Sequence, residues 1–158
     1  MMFSTDTKGM NRMKVSTRVE YGMLALTDIA LYSDGGSSVS APDIAERQNI
    51  SQKYLEQILT HLKQAGLIRA QKGLRGGYTL ARPADGIRLS EILNALDNSI
   101  LEATETGADS RSLRSAVDAC LWRKINRGMI EFAESRTLSD FLAECREQMS
   151  GDWDLYII

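Results

Sequence analysis

With 158 residues, 43% of them hydrophobic, 25% charged and only 2 Pro, the chain has the composition of a globular protein that can bury its own core, which excludes a disordered or loop-rich chain. No run approaches the roughly 18 consecutive apolar residues of a membrane span and the polar N-terminus is no secretion signal, so a cytoplasmic protein without membrane partners is expected. The net charge of −2 conceals an asymmetry: Lys14 to Arg88 holds 10 Lys and Arg against 7 Asp and Glu, whereas Leu89 to the end holds 7 against 13, so polyanions are expected at the first half.

Residues 1–12 carry no periodicity and read as a disordered leader, or as an extension upstream of a start at Met13. Thr17 and Glu20 have capping-box spacing. Behind them Val19, Met23, Leu26, Ile29 and Ala30 recur at helical intervals, and Asp34-Gly35-Gly36 closes this first helix. Ser40 is placed to cap a short second helix with Pro42 in its first turn, where the missing N–H is no loss, and Ile44 and Ala45 form its buried side. Asn49 suits a left-handed turn. Ser51 caps a third helix on which Leu55, Ile58, Leu59 and Leu62 form one apolar stripe, and Gly66 stops it.

Two short apolar runs, Leu67-Ile68 and Tyr78-Leu80, flank Lys72-Gly73-Leu74-Arg75-Gly76-Gly77 and predict a hairpin with a basic, Gly-rich loop. A capped helix is expected from Ser90 to Leu96, then a loop over 98–111. A long helix from about Ser112 to Glu134 carries Leu113, Val117, Cys120 or Leu121, Ile125, Met129 and Phe132 at intervals of three or four. So narrow a stripe on so long a helix suits pairing with another helix, which makes Leu113, Val117, Leu121, Ile125, Met129 and Phe132 the candidate dimerisation residues. After Thr137 a second amphipathic helix presents Leu138, Phe141, Leu142, Cys145 and Met149, and the alternation of Trp153, Leu155 and Ile157 in the tail suggests an edge strand. The expected organisation is therefore a leader (1–12), a DNA-binding domain (13–97), a loop (98–111) and a dimerisation region (112–158).

Helix, short helix, tight turn, capped helix, basic hairpin: this order gives a mainly α fold with a small β wing, a winged helix-turn-helix followed by a long dimerisation helix. The third helix would present its N-terminus, with free N–H groups and partial positive charge, to double-stranded DNA. Ser51, Gln52, Lys53 and Tyr54 lie in its first turn, and Glu56, Gln57 and Thr60 continue its polar face. Gln57 has the donor–acceptor pair that reads adenine, and Glu56 can accept from the cytosine amino group while repelling phosphate. Lys72 and Arg75, set among glycines, would bring positive charge to a phosphate or into the minor groove. The loop lacks the spacing and the following helix of a nucleotide-binding phosphate cradle. The only histidine, His61, stands alone on the third helix, and no nucleophile elbow or metal-ligand cluster is present, so no enzyme is expected. Cys120 and Cys145 read as buried, helix-borne free thiols in a reducing compartment.

The run from Met13 to Gly22 (MKVSTRVEYG), Ser51 to Leu59 (SQKYLEQIL), Leu62 to Ile68 (LKQAGLI), Lys72 to Leu80 (KGLRGGYTL), and Leu121-Trp122-Arg123 with Thr137-Leu138 resemble Rrf2-type bacterial transcription regulators, over Met13 to about Leu142. The resemblance implies a homodimer whose long helices cross near the two-fold axis, each reaching toward its partner's DNA-binding domain, and a palindromic operator. It implies DNA contacts at Glu56, Gln57 and Lys72, with Arg18 and Tyr21 near phosphate. Many members sense through an iron–sulfur cluster held by three cysteines in the loop before the long helix. Residues 98–111 contain none, and Cys120 lies inside the helix. Glu20 matches a carboxylate ligand of some members, but its spacing to Thr17 is that of a cap. The chain thus resembles the cysteine-poor, cluster-free branch exemplified by the cysteine-metabolism repressor CymR, which implies no cofactor and a regulatory partner such as cysteine synthase. Two readings stand beside the repressor: an iron–sulfur or thiol-based redox sensor, and an interaction adaptor without DNA binding.

Overall fold

The computed structural model describes residues 15–33, 36–102 and 111–154; the expected leader, residues 103–110 of the expected loop and the last four residues lie outside the described residues. Helix α1 (Thr17–Tyr32) starts at Ser16, whose extended backbone lets its hydroxyl accept from the Val19 N–H at 3.4 Å. The cap is therefore Ser16 and not Thr17. The shift of one residue takes Glu20 past the box position and leaves it in the first turn, where the positive helix end favours an acidic residue. Helix α2 (Ala41–Gln48) is capped by Ser40 and ends at Asn49, which adopts the left-handed conformation (φ 53°, ψ 50°). Helix α3 (Gln52–Gln64) follows after the cap Ser51. It closes at Gly66 (φ 73°) with Leu67 N–H donating to Leu62 C=O and Gly66 N–H to Lys63 C=O, the bond pair of a Schellman motif.

The hairpin pairs β1 (Ile68–Gln71) with β2 (Gly77–Leu80), Ile68 opposite Leu80 and Gln71 opposite Gly77. Val39, just before α2, adds one rung by exchanging both backbone bonds with Tyr78, at 2.9 and 2.8 Å. Helix α4 (Leu89–Leu96) has no side-chain cap; the cap expected at Ser90 falls inside it, because the Leu89 N–H is taken by the carbonyl of Arg136 from far along the chain. Leu138 N–H donates in turn to Ile87 C=O at 2.7 Å.

That stitch returns the C-terminal helices to the winged domain. A long helical run comprises α5 (Leu113–Val117), a π turn (Asp118–Trp122) and α6 (Arg123–Ser135), and α7 (Leu138–Asp154) folds back beside α1. Ala133, Leu138 and Leu142 are buried in the same cluster as Leu26, Ile29, Ile44, Leu55 and Ile92. Because α7 continues through Asp154, the strand expected in the tail does not form over Asp152–Asp154; residues 155–158 are outside the described part. The two cysteines also depart from expectation. Cys120 is exposed, since the π turn lies before the stretch in which α6 meets the core, and Cys145 is half-buried.

Candidate nucleic-acid interface

Helix α3 divides into two faces, as its sequence pattern requires. Leu55, Ile58, Leu59 and Leu62 are buried, while Ser51, Gln52, Lys53, Glu56, Gln57, Thr60 and His61 are exposed. The exposed edge is internally ordered. Gln52 Nε2 donates to Glu56 Oε1 at 3.2 Å, Thr60 Oγ1 donates to the Glu56 carbonyl at 2.8 Å, and His61 Nδ1 lies 2.7 Å from the Gln57 carbonyl. Ser51 is engaged as the cap, its Oγ accepting from Tyr54 N–H at 3.3 Å. The free first-turn N–H groups and the positive end of the helix thus sit at the same end as Gln52 and Lys53.

The half-buried rings of Tyr21 and Tyr54 meet edge to face, with centroids 5.9 Å apart, so α1 fixes the start of α3. Arg18 and Tyr54 line one polar cleft with Ser16, Thr17 and the end of α4. Beside it the Asp97 carboxyl is held below its ordinary range, chiefly by the hydroxyl and N–H of Ser99 and to a smaller extent by the charge of Arg18. The predicted residues Arg18, Tyr21, Ser51 and Tyr54 are therefore brought together at one end of α3, with Gln52, Lys53, Glu56 and Gln57 along its outer edge.

The wing places Lys72 and Arg75 in the exposed loop. Its turn is closed by Gly76 N–H donating to Gly73 C=O at 2.9 Å, and Gly73 holds φ +114°, a region hostile to side chains. Ser38 Oγ donates to the Arg75 carbonyl at 2.6 Å, and a Cβ on Gly77 would stand 2.5 Å from the Val39 carbonyl oxygen, so the base of the hairpin is pressed against the segment leading into α2.

What braces this assembly is a buried ion pair absent from the expectations above. Asp28 is buried in α1 at 1% exposure and takes a forked pair of bonds from Arg47, together with a third from Gln48. The available signal was an acid at a helical phase shared with Ala25 and Ile29, a position that demands a partner.

On the long helix Leu113, Val117, Leu121, Ile125 and Phe132 are exposed, with Trp122 beside them, while Met129 is half-buried. From Leu113 to Ile125 the apolar residues are spaced by four, and each such step overshoots a 3.6-residue turn by roughly 40°. The wider π turn, closed by Arg123 N–H donating to Asp118 C=O, takes back part of that drift. Asp118 is buried and accepts from Arg123 Nε at 2.6 Å. Elsewhere on the surface an open apolar groove of about 720 Å³ runs between α1 and α7, lined by Val19, Met23, Leu24, Phe141 and Met149 among others. Cys145 also lines it, and burial pushes its thiol pKa up.

Against known proteins, residues 15–144 match the profile of the Rrf2 family, described as an iron-dependent transcriptional regulator. The transcriptional regulator IscR of Cereibacter sphaeroides is 40% identical over 136 residues, covering 82% of this chain and 87% of that protein. The solved structure of CymR, the global cysteine regulator of B. subtilis, superposes with a TM-score of 0.70 at 28% identity, covering 84% of this chain and 98% of that one. IscR of T. potens gives a TM-score of 0.69 at 34% identity, covering 86% and 90%. These relatives are transcription regulators and not enzymes, and their winged-helix architecture is the one described above.

Proposed function

The chain belongs to the Rrf2 family of DNA-binding transcriptional regulators, and from that premise we propose that it is a homodimeric repressor that reads a palindromic operator without an iron–sulfur cluster. The observation that carries this reading is the solvent-facing polar edge of α3, with Gln52, Lys53, Glu56 and Gln57 outward and four apolar side chains holding the opposite face in the core. Gln57 and Glu56 are the base-reading pair. Lys53, Lys72, Arg75 and Arg18 supply phosphate contacts, and the first turn of α3, from Ser51 to Tyr54, supplies N–H donors. Tyr21 holds Tyr54 in place.

Dimerisation follows from apolar surface that one copy leaves uncovered. Leu113, Val117, Leu121, Ile125 and Phe132 are exposed on the long helix, Met129 continues their line, and the groove between α1 and α7 is apolar too. A two-fold exchange, in which each long helix crosses the other and approaches the partner's groove, buries both surfaces and places two α3 helices on successive half-sites.

The donor set does not fit a thiolate cluster. The chain has 2 Cys, none in residues 98–111; Cys120 is exposed on the π turn and Cys145 sits in the apolar groove with its thiol shifted away from ionisation. Regulation through a protein partner of the cysteine-synthase kind is the route that the likeness to CymR suggests, and co-purification from the native host tests it.

Selection of genomic fragments, followed by gel-shift competition at moderate salt, tests the whole reading. An inverted repeat that outcompetes bulk DNA is the expected result; failure of any fragment to do so overturns it.

A further inference from the structure

The wing ends in an apolar side chain. Leu74 has a relative exposure of 109%, the highest among the large hydrophobics of the described residues, and stands between Lys72 and Arg75, which are exposed as well. The turn closed from Gly76 to Gly73 makes Leu74 and Arg75 its two corner residues. A Cβ at Gly76 would lie 2.7 Å from the Gln71 carbonyl oxygen and 2.9 Å from that of Gly73, so the sides of the tip are bare backbone and the corners carry its side chains.

Local structure does not ask for leucine here. Turn corners favour Gly, Asn, Asp, Ser and Pro, each for a backbone reason that leucine does not satisfy. Nor does Leu74 cover any of the protein's own surface. The tip is also braced, by Ser38 on the Arg75 carbonyl and by the Val39–Tyr78 rung, so the side chain is held outward on a fixed support.

We propose that Leu74 is a specificity-determining wedge that seats in the DNA minor groove beside each half-site, with Lys72 and Arg75 on the phosphates that border it. This rests on the wing approaching DNA as set out above. The occupant follows from size and charge. One leucine between two cations on a four-residue turn is too small for a protein interface core, but it matches a groove about 6 Å wide with anionic edges. Apolar wedges of this kind act between base steps or against the groove walls. The guanine 2-amino group projects into the groove floor and obstructs such a side chain, whereas A·T pairs leave the floor open. Leu74 thereby makes the protein select A·T pairs at positions where no hydrogen bond reads the sequence.

The test uses the duplex recovered by genomic selection, with the pairs under the wing kept as A·T, replaced by G·C, or replaced by inosine·C, which lacks the 2-amino group. The full-length protein is expected to bind the A·T and inosine·C duplexes alike and the G·C duplex roughly tenfold more weakly, as loss of a buried leucine contact implies. Leu74→Ala should abolish that discrimination while leaving the salt dependence unchanged. Retention of the A·T preference by Leu74→Ala overturns the wedge. Lys72→Ala separates the two levels: if it lowers the salt slope while Leu74→Ala changes nothing, only the wedge is wrong, and if the slope stays put as well, the wing does not touch DNA and both ideas fail.

Discussion

Arg47 grips Asp28 with two parallel bonds, Nε to Oδ2 at 2.9 Å and Nη2 to Oδ1 at 2.7 Å, and Gln48 Nε2 adds a third at 2.8 Å. The guanidinium also stacks 4.4 Å from the centroid of the Tyr32 ring. Its pKa is raised, first by the hydrogen bond to Asp28 and then by the nearby carboxylate charge. Since Asp28 belongs to α1 and Arg47 to α2, this pair sets the angle of the helix that supports α3. Arg47→Ala leaves a buried carboxylate short of its main partner. It should cost on the order of 3 kcal/mol, the low end for stranding a buried charge, because Arg47 is itself partly exposed. Urea unfolding measures it, and a loss near zero would mean that the pair is not the brace.

Gln57→Ala should weaken binding to the cognate operator by about 1–3 kcal/mol and leave binding to random duplex unchanged, the signature of a base contact. Fluorescence anisotropy with both duplexes distinguishes this from a phosphate contact, for which the two losses would be equal.

Lys72→Ala should lower affinity on every sequence and reduce the slope of log K against log salt by about one. A titration across several salt concentrations reads the slope directly.

Leu121→Glu or Ile125→Glu puts a charge in the middle of the apolar stripe and should yield monomers. Sedimentation velocity decides the point: a dimer that persists in both variants would place the interface elsewhere. Folding should survive, since both side chains are exposed in the single chain.

The start of α7 should be acid-sensitive. Thr137 N–H and hydroxyl both donate to Asp140 Oδ2 at 3.0 Å, and Asp140 N–H returns a bond to Thr137 Oγ1 at 3.1 Å, a reciprocal cap. These bonds hold the Asp140 carboxyl below its ordinary value of 3.8. A depressed carboxyl contributes stability that is complete above the unfolded value and disappears as pH falls through the folded one. Asp140→Asn should therefore be less stable than the parent at neutral pH, and the difference should close in strong acid. Paired urea melts over that pH range would reveal a constant gap if the carboxylate were irrelevant.

Local and distant causes shaped different features of this protein. Asn49 in the left-handed turn, Ser40 and Ser51 as caps and Gly66 as a stop follow from each residue's own chemistry and immediate neighbours, and all four occur as read. The error of one residue at the first cap has the same local origin, because Ser16 and Thr17 are both competent caps and spacing alone chose the wrong one. The α3 faces were legible because a 3.6-residue period sorts apolar from polar without reference to the rest of the fold.

What amino-acid order determined by itself was the first three helices and the hairpin, the caps Ser40 and Ser51 and the polar edge of α3, since these depend on backbone preferences and periodicity within a few residues. Tertiary structure alone decided that Asp28 meets Arg47, that Ser38 steadies the wing, and that Leu89 and Leu138 draw the last two helices onto the first domain. Those outcomes depend on which buried polar groups find partners across tens of residues of chain, and no local pattern specifies that pairing.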